Sequence, residues 1–188
     1  MARNDEASLT LLYHQGTQLL AVLILPAAAL LVFFPYEILL LWTRNADIAL
    51  FASPIVPFLA TGMALNGLMT MPYALQLSHG WTSISLFISI FLVITLVPSI
   101  YFMAIHYGAI GAAAVWLALN GIHMLIGAPL THRRLLKGEL RRWFIEDIGA
   151  PLAASLAVVG AGRLFIAGPM PAMMSLAVLS AVLVGAFM

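Results

Sequence analysis

The chain has 188 residues, of which 63% are hydrophobic and only 8% charged, and its mean hydropathy of +1.07 is far above what a water-soluble domain of this size can bury. A net charge of +1 with no extended basic surface excludes a nucleic-acid reading. The absence of Cys excludes disulfides, thiolate metal sites and cysteine nucleophiles.

These features predict an all-α polytopic membrane protein. A hydrocarbon core of about 30 Å takes roughly 20 apolar residues per helix, and six runs qualify. The N-terminus carries Arg3 followed by Asp5 and Glu6, the wrong order for a cleaved leader. The first span is expected at 9–34, with Pro26 inside it as a kink point. The segment 35–47, with Tyr36, Glu37, Trp42 and Arg44 around a short apolar core, reads as an interfacial helix. The second span, 48–77, holds Pro54, Pro57 and Pro72 and is expected to bend or tilt. Spans at 82–104 and 108–129 follow, separated by an outer turn at 105–108; the second of these opens on small residues suited to close helix contact.

The stretch 131–147 contains Arg133, Arg134, Lys137, Arg141 and Arg142, five of eight Lys and Arg residues. Short cationic loops are retained on the cytoplasmic side, so this loop is expected inside, with both termini. Spans at 148–166 and 171–188 complete the count. Ala153, Ala157 and Ala161 mark one face of the fifth, and the sixth runs to Met188 without a polar stop, which suggests a chain cut short.

Polar residues within the apolar runs are the candidate site. His14 and Gln18 share a face of the first span, with Gln15 beside them, and Asn66, Thr70, Tyr73 and Gln76 share a face of the second. Asn120 and His123 stand three apart in the fourth. These residues fit a hydrophilic cavity; they equally fit headgroup contacts or hydrogen bonds between packed helices. His123 also fits a coupling-proton carrier. The cations Arg133, Arg134, Lys137, Arg141 and Arg142 suit pyrophosphate contact or topology and anionic-lipid contact alone. Arg163 reads as snorkelling to the outer headgroups or, if turned inward, as an anion contact. No metal-ligand spacing, serine-hydrolase elbow, metalloprotease motif or P-loop is present, and no span holds two carboxylates. An enzyme is not expected, nor a cofactor.

Three stretches in register resemble the C-terminal half of the multidrug/oligosaccharidyl-lipid/polysaccharide flippase superfamily, nearest its polysaccharide and O-antigen branch. They are the proline-containing span with its amphipathic follower, LLAVLILPAAALLVFFPYEILLLWT; the polar second span ending in PYALQLSHGW; and YGAIGAAA at 107–114. The resemblance implies one lobe of about six helices in a two-lobe transporter that alternates access around a central cavity. It further implies transfer of an undecaprenyl-pyrophosphate-linked oligosaccharide across the bacterial inner membrane, with an N-terminal lobe as the missing partner. A cation-coupled drug exporter of the same superfamily would be expected to hold a carboxylate inside the lobe, and none is evident in a span. A non-transporting membrane scaffold subunit is the reading from another class.

Overall fold

The structure is a computed structural model and describes residues 2–166. The predicted sixth span and the turn before it lie outside the described residues. Among the described residues every regular element is helical.

Helix α1, Ala2–Phe33, runs unbroken through Pro26, the expected kink point, and packs chiefly against the helices at 56–68 and 150–166 and the segment at 143–149. Phe34 interrupts it, and Pro35, whose missing N–H is no loss at a helix start, opens α2, Pro35–Thr43. Arg44 closes α2 in the left-handed conformation (φ 52°). Asn45 then caps α3, Ala46–Ala52, its side-chain oxygen accepting from the N–H groups of Asp47 and Ile48 at 2.9 and 3.2 Å, as an N-cap asparagine does. The expected interfacial segment is therefore two helices, and α3 already belongs to the following element.

The second expected span is not one continuous helix. A turn over 53–55, between Ser53 and the Pro54 and Pro57 pair, separates α3 from α4, Val56–Leu68, and a further break at Met69 precedes α5, Thr70–Ser78. The two parts meet at 58°. Each proline lacks an N–H for the helix ladder and restricts its predecessor, so the bend is local chemistry.

Helix α6, Thr82–Leu135, is broken at Gly108, where φ is 63° and ψ is −150°, a region essentially closed to residues with a Cβ. The chain reverses there. Val93 and Leu96 line the same cavity as Trp116, Leu119 and Asn120, although a straight helix would separate Leu96 from Leu119 by about 35 Å. At the reversal, a Cβ on Gly111 would collide with the carbonyl oxygen of Met103 and with Cβ of Tyr107. Two arms, 82–107 and 109–135, thus lie side by side.

The basic stretch is shorter as a loop than its charge suggests. Only 136–139 is non-helical, with Gly138 at φ 92°. Helix α7, Leu140–Arg142, passes into a π-helical segment, Trp143–Gly149, and then into α8, Ala150–Ile166. The wider π turn brings Trp143, Asp147 and Ile148 to the inside.

Two apolar clusters hold the elements to α1. One gathers Tyr13, Ala21, Leu25, Leu68, Met69, Met124, Ala128, Trp143 and Ile148; the other, toward the opposite end, joins Ala29, Leu30 and Phe34 to Val159. Outside them the surface is apolar: Phe87, Ile94, Tyr101, Leu125 and Leu164 are all more than half exposed. Patches of this extent are unstable in water and suit lipid. Ser8–Phe33, Val93–Leu135 and Leu140–Leu164 are each long and apolar enough to cross a membrane, and the bent pair Ala46–Ala52 with Val56–Ser78 makes a fourth if taken as one span. The chain is thus an all-helical protein built for a bilayer. Ala153, Ala157 and Ala161 remain exposed, while α8 packs through Ser155, Val159 and Gly162.

Arg163 does not reach out to headgroups. It donates to Oε1 of Glu37 at 2.5 Å and lies 5.3 Å from the centre of the Phe34 ring, so it ties the end of α8 to the start of α2.

Candidate functional site

Polar side chains gather at two places, one enclosed and one open. The enclosed group centres on His14, about 9 Å of helix inside Ser8. His14 is 2% exposed and Asp147 is fully buried. Nδ1 of His14 donates to Oδ2 of Asp147 in a close contact, while Nε2 lies 3.1 Å from Oε2 of Glu139. The second oxygen of Asp147 accepts from Gln18 Nε2 at 2.8 Å. Beside this group the Tyr13 hydroxyl donates to Nε2 of His132 at 3.2 Å, and His132 Nδ1 donates to the Ala128 carbonyl at 2.8 Å. Trp143 closes the cluster, its ring 5.3 Å from that of His132.

Helical spacing explains how each element contributes. On α1, Tyr13, His14, Thr17, Ala21 and Leu25 fall on the buried side, and His14 and Gln18 are one turn apart. The π-helical segment supplies Trp143 and Asp147 at the same separation. Glu139 comes from the 136–139 turn between α6 and α7, 32% exposed.

Two expectations are corrected by this arrangement. His14 does not line an open cavity; it is buried, with a carboxylate oxygen on each ring nitrogen. His132, next in sequence to the cations of 133–142, is buried beside it. A carboxylate does stand inside a membrane-length helix, because Asp147 lies within Leu140–Leu164.

Gln76 is likewise enclosed. Its Nε2 donates to Thr131 Oγ1 at 2.5 Å, and Thr131 in turn donates to the Gly127 carbonyl at 2.8 Å, fastening α5 to the end of α6. Gln76→Leu is expected to cost about 0.6–1 kcal/mol, the range of interhelical hydrogen bonds in membranes, read as a small shift in a denaturant titration followed by helical circular dichroism.

The open group lies on α4 and α5. Asn66, Thr70 and Tyr73 are exposed on one face. Asn66 donates to Asn120 Oδ1 at 3.0 Å, and Asn120 donates to the Trp116 carbonyl at 2.8 Å. A cavity of about 250 Å³ lies between Asn66, Trp116, Asn120, His123 and the first arm of α6 at Val93 and Leu96. Gln15 is exposed on α1, about 100° around the helix from its enclosed neighbour His14.

The cations divide as well. Arg134 and Lys137 line a polar cavity of about 630 Å³ with Leu9, Thr10, His79 and Glu139, and the Arg134 guanidinium sits 4.1 Å over the Trp81 ring. Arg142 pairs with Glu146 at 3.2 Å and lies 3.9 Å from Glu139. Arg133 and Arg141 are exposed and have no acidic partner among the described residues. A third cavity, about 610 Å³ and lined wholly by apolar residues, runs between α1 and α4 from Leu23 and Ile24 to Leu59 and Met63. No group of three or more metal-ligating side chains occurs among the described residues.

Compared with known proteins, the chain matches no family model, no curated protein and no solved structure.

Proposed function

We propose that this chain is one helical lobe of a bacterial inner-membrane flippase, which moves an undecaprenyl-pyrophosphate-linked oligosaccharide by alternating access together with an N-terminal lobe. The observation that carries this reading is the cavity lined by Asn66, Asn120, His123 and Trp116, with Thr70 and Tyr73 exposed on the helix that follows. Neutral amides, hydroxyls and an aromatic ring suit sugar hydroxyls, and the exposed Thr70 and Tyr73 add to the Asn66–Asn120 pair. The apolar groove between α1 and α4 suits an isoprenoid tail, and Arg134 with Lys137 suits a diphosphate. The two arms of α6 count as separate crossings, with the cationic end of the molecule in the cytoplasm. Nothing in this transfer requires a covalent step.

A second reading is favoured by one specific observation. The buried Asp147 is the kind of intramembrane carboxylate that a cation-coupled exporter of the same superfamily would use. The two differ in solute, and complementation separates them. In a bacterium lacking its O-antigen flippase, the chain joined to an N-terminal lobe is expected to restore surface polysaccharide. The chain alone is expected not to, and the joined form carrying Asn66→Ala and Tyr73→Ala is expected to fall at least about tenfold, the loss from roughly 1.4 kcal/mol or more. A joined form present in the membrane that restores nothing, yet lowers drug accumulation, moves the exporter reading ahead.

A further inference from the structure

His14 is alone among the described imidazoles in having a carboxylate oxygen on each ring nitrogen, Asp147 on Nδ1 and Glu139 on Nε2. A neutral imidazole has one N–H and one lone pair. It can donate to one of these carboxylates, and its lone pair then faces the other. Both contacts form together when both nitrogens carry hydrogen. We infer that this is a proton-binding site: one proton, taken from water in the cavity that Glu139 lines, completes an imidazolium that ties Glu139 and the 136–139 turn to α1. The inference rests on hydrogen-bond counting and holds whichever solute the protein carries.

The surroundings determine what happens when the proton leaves. Asp147 is fully buried and also holds Gln18, so it keeps the Nδ1 hydrogen; losing it would strand a buried charge. Glu139 is 32% exposed and 3.9 Å from Arg142. It therefore gives up His14 and turns to water and Arg142, and the proton departs by the same cavity. The other titratable and charged groups around the ring are Tyr13, edge-on at 5.6 Å, and His132 on α6. Arg142 on α7 is shared with Glu146, and Arg134, Lys137 and His79 lie across the cavity. Two carboxylates touch the imidazole and no cation does. The 136–139 turn is suited to move, since Gly138 holds a positive φ of 92° and only four residues link the two helices.

The test uses the full chain in lipid bilayers. Ring-nitrogen magnetic resonance of His14, assigned by its cross-peak to the Asp147 carboxyl carbon, is followed between about pH 5 and pH 9, the window in which an imidazole ordinarily titrates. The doubly protonated ring is expected on the acid side and a ring with only Nδ1 protonated on the alkaline side. In Glu139→Gln the midpoint is expected to fall by about one pH unit or more, as when one adjacent opposite charge is removed. A singly protonated ring throughout, or a midpoint unmoved in Glu139→Gln, overturns the site. The consequence for the turn is read separately. The chain has no Cys, so Thr10→Cys in the cavity and Gln15→Cys on the open side of α1 each give a single thiol. The labelling rate at position 10 relative to position 15 is expected to rise severalfold across the same transition and to stay level in Glu139→Gln. A level ratio in the otherwise native chain overturns the link between the proton and the turn.

Discussion

His14→Leu is expected to destabilise the protein by about 3–5 kcal/mol, the usual cost of removing one member of a buried charge pair. The change removes little volume. What it leaves is Asp147, fully buried, with Gln18 as its remaining side-chain partner and no positive group in contact. Glu139, partly exposed, turns to solvent and contributes little. The stranded Asp147 carboxylate sits on the face that docks the π-helical segment onto α1, so the 140–166 helix is expected to loosen first. Chemical unfolding in detergent micelles, followed by helical circular dichroism, measures the total loss. The double variant His14→Leu with Asp147→Leu removes both charges together and is expected to recover most of it, because apolar replacement of a whole buried pair is commonly neutral. A double variant as unstable as His14→Leu alone would show that volume and shape, not the stranded charge, set the cost.

The second large effect falls on backbone conformation. Gly108→Val is expected to cost about 1–3 kcal/mol at least, the strain of holding a residue with a Cβ in a glycine-only region, with β-branching adding to it. Space is not the issue, since a Cβ at Gly108 meets nothing within 4 Å. Gly111→Val acts by the opposite route: its backbone is ordinary helix, and the added side chain would push against the Met103 carbonyl and Tyr107. Both are expected to splay the arms of α6. Spin labels on cysteines placed at Ile94 and Ala118 read this directly. They are expected to be close in the parent chain, and a straightened helix would place them about 36 Å apart. An unchanged distance in Gly108→Val would remove the glycine from the account of the reversal.

The comparison between sequence and structure turns on which signals are local. Membrane character, the bend around Pro54 and Pro57 and the turn near 105–108 are written in short stretches and are legible for that reason, whereas Pro26 leaves α1 unbroken. The polar residues on α1 were also visible, but their partners were not. Asp147 and Glu139 lie more than a hundred residues from His14, and helical periodicity says which side chains share a face without saying which faces meet. Counting charge over 131–147 misled in a definable way, because it treated the stretch as one cationic loop. Reading faces instead would have set Trp143 and Asp147 one turn apart beside Ile148, an inward stripe with one carboxylate on it. That stripe needs a buried donor, and His14 with Gln18 is the pair on α1 able to supply it. The open face behaved differently. Asn66, Thr70 and Tyr73 need no distant partner to be recognised as a stripe, and the structure leaves them exposed. Gln76 shares α5 with Thr70 and Tyr73 but lies about 120° around the helix from Thr70, which turns it inward to Thr131.

The proposed transport path is tested most directly by photo-crosslinking in cells that make lipid-linked oligosaccharide and carry the chain joined to an N-terminal lobe. A benzophenone side chain is placed at Tyr73 or Thr70 on the open polar face, and at Leu125, which is 70% exposed on the apolar surface, as the control. Adducts carrying sugar are expected at positions 70 and 73 and not at 125. Equal sugar-bearing adducts at all three, or none at 70 and 73 while the protein is in the membrane, would contradict the assignment of this face to the substrate.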